Sequence, residues 1–210
     1  MNSKEIIAAA QKSRRLAPEA RRRQLLDCAL TVFARRGIGE ARHAEIARAA
    51  GMSVPTVFNY FPTREALVQS VLDEVGRFIL DDILRPIQDD QVRAPEVLRD
   101  SALAFANAVE SHPDHARVWL DWSTAVRDDV WPRYLEFQDR VFALLGATTE
   151  RGKREASLPA ELDTDDAVRL LVGSAHMIAQ MQLAGSDPAR VRQFIASIIE
   201  GFIFRPTLAD

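Results

Sequence analysis

The chain has 210 residues, 47% hydrophobic and 27% charged, with a net charge of −3, which excludes a fibrous or disordered protein and fits one large domain or two small ones. No apolar run approaches the roughly 18 residues of a membrane span, and the opening MNSKEIIAAAQKSRR has only a short apolar patch between charges, so a cytoplasmic protein without a signal peptide is expected. The single cysteine, Cys28, rules out an internal disulfide framework; beside Leu26, Leu30 and Val32 it reads as a small core residue.

Charge is unevenly placed. Residues 1–65 carry 12 lysines and arginines against six acids, so a head of +6 precedes a body of −9. That asymmetry suits a polyanion-facing module joined to one with another task. Three segments follow: a basic arm at 1–17, a helix-turn-helix domain at 18–65, and a helical regulatory and dimerisation domain at 66–210.

In chain order, Pro18 and Glu19 open a first helix with an apolar face at Leu25, Leu26, Ala29, Leu30 and Phe33, stopped by Gly37 and Gly39. HAEIARAAG (43–51) is a short helix ending on Gly51. Ser53 caps the next, which tolerates Pro55 in its first turn and ends by Phe61, ahead of Pro62. Thr63 caps a long helix running to about Pro86. Further helices are expected at about 95–111, 114–127, 128–151 and 163–184, with a last one from Pro188. Strand-like alternation is nowhere sustained, so the fold class is all-α.

The segment 53–61 carries the functional signal. Val54, Val57, Phe58 and Phe61 fall at i, i+3, i+4 and i+7 and are expected to face inward. Ser53, Thr56, Asn59 and Tyr60 lie opposite, a row of small hydrogen-bonding groups that a DNA major groove accepts; Asn pairs bidentately with adenine, and Ser or Thr reach bases or phosphates. Ala47, Gly51 and Val57 have the spacing of a helix-turn-helix. The chain therefore reads as a DNA-binding protein.

The stretch EIARAAGMSVPTVFNYFPTREAL resembles the DNA-binding signature of TetR-type transcriptional regulators. FARRGIG, SVPTVFNYFPTRE and the distant RVWLDWSTAVRDDVWP (117–132) are similar to the LuxR/HapR branch, the quorum-sensing master regulators of vibrios. The resemblance implies a dimer on a pseudo-palindromic double-stranded operator, with Arg14 and Arg15 of the arm in the minor groove. His43, Ser53, Pro55, Thr56, Asn59, Tyr60 and Arg64 complete the expected DNA surface. The chain departs from the family where Phe58 replaces the usual Tyr, which leaves it a packing role. Arg64 stands for Lys and can still grip phosphate, Arg42 is a poor helix cap, and Pro55 replaces a small residue.

The same resemblance places Phe78, Ile79, Phe105, Trp119, Gln138, Phe142 and Met177 around a small apolar effector, although an aromatic stripe reads equally as plain core. Val191, Phe194, Ile195, Ile198, Ile199 and Phe202 form a wide apolar face on the terminal helix. With Val168, Leu171 and Ala175 they are the expected homodimer interface. Two rivals remain. A non-specific nucleic-acid or protein-interaction module would keep the head without base reading. A metal-dependent hydrolase would use His112, Asp114 and His115, but HPDH spans a helix break and lacks a third ligand or an adjacent base. His176, on an apolar helix, reads as a satisfied interface or pocket residue. No cofactor, metal, membrane partner or enzymatic activity is expected.

Overall fold

The computed structural model describes residues 17–203, and side chains to residue 201. The basic arm, with Arg14 and Arg15, and the side chain of Phe202 lie outside the described residues. The described residues are helical, with no strand among them. The chain divides into two compact units between Val71 and Leu72.

The first unit holds α1 (Pro18–Arg36), α2 (His43–Ala50), α3 (Val54–Tyr60) and the start of α4 (Arg64–Arg77). Pro18 begins α1 where a missing N–H costs nothing, and the backbone N–H of Gly37 closes it onto Phe33 at 2.8 Å. Leu25, Ala29, Val32 and Phe33 of α1 are buried together with Ile46 and Ala47 of α2 and Val57 and Phe61 around α3. Arg42 contributes no side-chain cap to α2; its guanidinium donates instead to the carbonyls of Gly39 and Ala41. Gly51 adopts the left-handed φ of 65° that lets α2 stop and the chain turn within three residues; Met52 N–H then bonds the Ala47 carbonyl at 2.9 Å. Ser53 caps α3 by accepting from Thr56 N–H, and Thr63 accepts from Ala66 N–H to start α4.

The second unit begins with the remainder of α4, which widens into a π-helical stretch (Phe78–Leu84) and a 3₁₀ turn (Arg85–Ile87). Arg77 braces the widening by pairing with Glu74 at 2.9 Å and Asp82 at 2.8 Å. Then come α5 (Ala94–Ser111), α6 (Pro113–Thr124), α7 (Trp131–Arg154), α8 (Thr164–Leu183) and α9 (Pro188–Ile198), which widens at Ile199–Ile203. Asp163 and Asp187 cap α8 and α9. Residues 125–130 are a turn rather than helix, because the indole of Trp122 donates to the Val130 carbonyl at 3.0 Å and folds the chain back before Pro132 starts α7. The core is aromatic at one end: the Trp122 ring stacks on Phe137 at 5.3 Å and meets the edge of Tyr134 at 5.6 Å. Arg151 fastens the 88–93 loop by donating to the carbonyls of Asp89, Asp90 and Val92. Gly152 sits where a Cβ would come within 2.7 Å of Ala94 and 2.6 Å of Leu158, so α7 can pass this close only without a side chain.

Val168, Val191, Ile195 and Ile199 are buried inside the chain itself, so they serve its own core. Leu171, Ala175, Phe194 and Ile198 are half-buried, whereas Gly173 and Met177 of α8 are open. The α8–α9 pair spends part of its apolar stripe on the chain's own core, where α8 packs against α5 and α7 and α9 against α5 and α8.

Candidate functional site

The first candidate is the outer surface of α3. At about 100° per residue, four rows run around this seven-residue helix. Val57 and Phe61 point to the core, and Thr56 and Tyr60 are half-buried. Val54, Pro55, Phe58 and Asn59 form one continuous exposed face. Val54 at 37% and Phe58 at 44% exposed thus correct the inward orientation expected from spacing. The Val57/Phe61 row is covered by α2 and by Arg22 of α1, which lies over the Phe61 ring at 5.3 Å, whereas the Val54/Phe58 row about 60° around the axis stays exposed.

His43 is also placed differently from expectation. Its side chain is buried at 8% exposure, and Nε2 lies 2.8 Å from the Phe61 carbonyl. A carbonyl only accepts, so Nε2 carries a proton and donates. The ring is then stacked flat on Phe58, centroids 4.1 Å apart and planes 4° apart. A ring so held faces the protein rather than a phosphate. Arg64 donates from Nη2 to the carbonyls of Ile38 at 2.6 Å and Gly39 at 2.9 Å, closing the loop before α2. Ser53 Oγ and Thr56 Oγ1 share a hydrogen bond of 2.8 Å, so both hydroxyls are engaged in the helix start. Asn59 alone presents a free amide on the exposed face. Sequence spacing could not distinguish Phe58 from Val57; the signal available was the short length of the helix.

The second candidate is a cavity of about 70 Å³ inside the second unit, several times the roughly 10–15 Å³ needed by one water on the same measure. Ile79, Phe105, Trp119 and Gln138 line it, as do Tyr134, Phe137, Leu171, Ala175 and Ile198. Phe78, Phe142 and Met177 are outside its lining: Phe78 turns to the His112 and His115 rings at 4.8 and 4.2 Å, and Met177 is 47% exposed. The lining holds no charged side chain and one amide, Gln138. The Ser101 and Ser174 hydroxyls donate to the carbonyls of Val97 and Leu170. Burial pushes the Tyr134 phenol up to about 12. The His176 ring lies tilted against Trp119, with centroids 4.2 Å apart.

The third candidate is HPDH, at the junction of α5 and α6. Asp114 pairs with Arg117 at 3.1 Å, and His112 Nδ1 bonds Ser111 Oγ at 2.9 Å. No group of three or more His, Cys, Asp or Glu placed to hold a metal occurs among the described residues. No helix among them is long and apolar enough to cross a membrane.

The family model for bacterial regulatory proteins of the tetR family matches residues 25–71, which contain α2, α3 and the turn between them. The chain is 45% identical over 125 residues to the HTH-type transcriptional regulator LuxR of Vibrio harveyi; the match spans 58% of this chain and 58% of that relative, somewhat over half of each. Its fold is that of a TetR-like transcriptional regulator from Rhodococcus sp. RHA1, with a TM-score of 0.74, 24% identity, and coverage of 89% of this chain and 98% of the other. It is also that of the regulator FadR from Bacillus subtilis solved in complex with stearoyl-CoA, with a TM-score of 0.72, 19% identity, and coverage of 86% and 96%.

Proposed function

Because the chain belongs to the tetR family of bacterial regulatory proteins, on the branch of the LuxR-type regulators, we propose that it is a dimeric transcriptional regulator acting on operator DNA in the cytoplasm. The observation that carries this is the exposed Val54–Pro55–Phe58–Asn59 face, held rigidly by Gly51, Ser53 and His43 within the segment that matches the family. A helix of this size enters the major groove, and Asn59 offers an amide for adenine. Arg14 and Arg15 supply backbone and minor-groove contacts from the arm.

Two-fold symmetry would set two such helices about 34–36 Å apart on a pseudo-palindrome. The partner surface on this reading is the open side of α8, where Gly173 allows close approach and Met177 gives an apolar anchor, opposite the Leu171 and Ala175 side that lines the cavity. Met177→Glu should yield a monomer in sedimentation velocity, and a dimer that persists removes this surface from the proposal.

The cavity is the effector site on this reading, and its chemistry selects a neutral, apolar small molecule with one group for Gln138 to bond. FadR holds stearoyl-CoA, but no cation lines this cavity to meet a CoA phosphate. Ala102→Val fills part of the space and should abolish the binding of a neutral naphthalene-sized fluorophore, followed by titration.

The whole proposal is tested by selecting duplexes from a random pool with the full chain. A retained sequence should outbind random competitor by at least about 10³-fold, with affinity falling steeply in salt. Equal affinity for retained and scrambled duplexes leaves only a non-specific module and defeats the proposal.

A further inference from the structure

We propose that α3 recognises thymine through its 5-methyl group, using the apolar edge formed by Val54 and Phe58 beside the adenine contact of Asn59. The inference rests on the DNA-binding reading above and adds to it the base chemistry of the half-site.

Five large apolar side chains stand exposed among the described residues, and two of them, Val54 and Phe58, lie one turn apart on a helix of seven residues. A phenyl ring left in water by chance would be mobile. This one is held outward: it lies flat on His43, and His43 is itself fixed by its hydrogen bond to the Phe61 carbonyl. His43 is therefore a positioning residue for Phe58. The hydroxyls of Ser53 and Thr56 bond each other, and Ser53 Oγ also accepts from the Thr56 backbone N–H, so both are engaged at the helix start. What the exposed face offers to a base-pair edge is one amide with an apolar strip along its flank.

Duplex DNA carries one apolar group in its grooves that such a strip can meet. Thymine presents its C5-methyl in the major groove, next to the N7 and N6 edge by which adenine bonds an amide; the minor groove has no methyl. A phenyl ring and a branched aliphatic beside Asn59 therefore select thymines next to the adenine that Asn59 bonds. The +6 charge of residues 1–65 suits the same polyanion. An aliphatic and phenyl surface gains nothing from a phosphate or from a cytosine amino group, so the contact discriminates rather than merely attracts.

The test uses the full chain and a duplex selected by it from a random pool. Affinity is compared for the thymine duplex and for copies with deoxyuridine, first throughout and then singly; deoxyuridine keeps pairing and every polar edge but lacks the methyl. Full replacement should weaken binding more than tenfold. Single replacements next to the contacted adenine should each cost about fourfold, the transfer value of one methyl. Phe58→Ala should bind the thymine and deoxyuridine copies alike at its contact, with an unchanged salt slope, and Phe58→Leu should keep part of the preference. Equal binding of both duplexes by the wild-type chain overturns the inference, as does a Phe58→Ala protein that retains the full preference for thymine; either leaves the regulator reading standing. If no duplex survives random competitor, the regulator reading falls and takes this inference with it. The first comparison changes only the DNA, so a folding defect cannot imitate its result.

Discussion

The imidazole of His43 and the ring of Phe58 form a parallel stack, centroids 4.1 Å apart, in which the buried member is pinned by a hydrogen bond to Phe61 and the outer member faces solvent. A residue at the start of α2 thereby sets the direction of a side chain on α3.

His43→Ala should remove that support and leave the Phe61 carbonyl without its donor. An unsatisfied buried acceptor costs about 1–3 kcal/mol, and the lost stack about 0.5–1.5 kcal/mol more. Urea unfolding should show a lower midpoint, and operator binding should weaken with it. A variant that unfolds at the wild-type midpoint would show that the stack contributes nothing.

Arg64→Ala should destabilise the head by about 1.5–3 kcal/mol, the range for hydrogen bonds to a charged group, because its guanidinium bridges the Ile38 and Gly39 carbonyls. Lysine is a point charge without the planar fork, so Arg64→Lys should recover little. The dependence of DNA affinity on salt separates this role from phosphate binding. A slope about 0.9 smaller in the variant would assign Arg64 to the DNA backbone instead.

Gly152→Ala places a carbon within 2.6 Å of Leu158 and 2.7 Å of Ala94, so α7 or the following loop must move. Overpacking of this kind costs about 1–3 kcal/mol, more than the ~1 kcal/mol that alanine gains over glycine in a helix. Thermal unfolding should report a lower Tm. An unchanged or raised Tm would mean that the 155–163 loop yields at no cost.

Tyr134 gives the second unit an alkaline weakness. Burial raises its phenol to about 12 in the folded chain, against about 10 in the unfolded one. The folded state thus holds the proton longer, and the contribution to stability is complete below pH 10 and lost as pH rises toward 12. Urea midpoints measured across that window should fall for the wild type and fall less for Tyr134→Phe. Parallel curves for the two proteins would contradict the assignment.

Helix starts and stops were legible in the chain because they depend on local chemistry. Pro18, Ser53, Thr63, Asp163 and Pro188 open helices, and Gly37 and Gly51 close them, through hydrogen bonds spanning only a few residues. The helices expected at 114–127 and 128–151 stop at Thr124 and start at Trp131 for the opposite reason. The Trp122–Val130 bond that folds this turn is a choice of partner for one indole, and periodicity carries no record of it. On α9, periodicity gave a wide apolar stripe without saying whether the chain's own core or a second chain would cover it. Val191, Ile195 and Ile199 show that the core takes much of it.

By itself, then, the sequence determined an all-helical chain, a basic head, a tight turn between two short helices and an asparagine on the second of them. Those features follow from the backbone conformation of single residues and from the sum of charges, which need no long-range contact. Only the tertiary structure decided which side of α3 meets water, that the His43 ring is buried against Phe58, and that the body holds a cavity with no charged side chain in its lining. Each of these depends on which neighbour arrives to cover a given face, and a one-residue rotation around a helix axis separates a buried valine from an exposed phenylalanine.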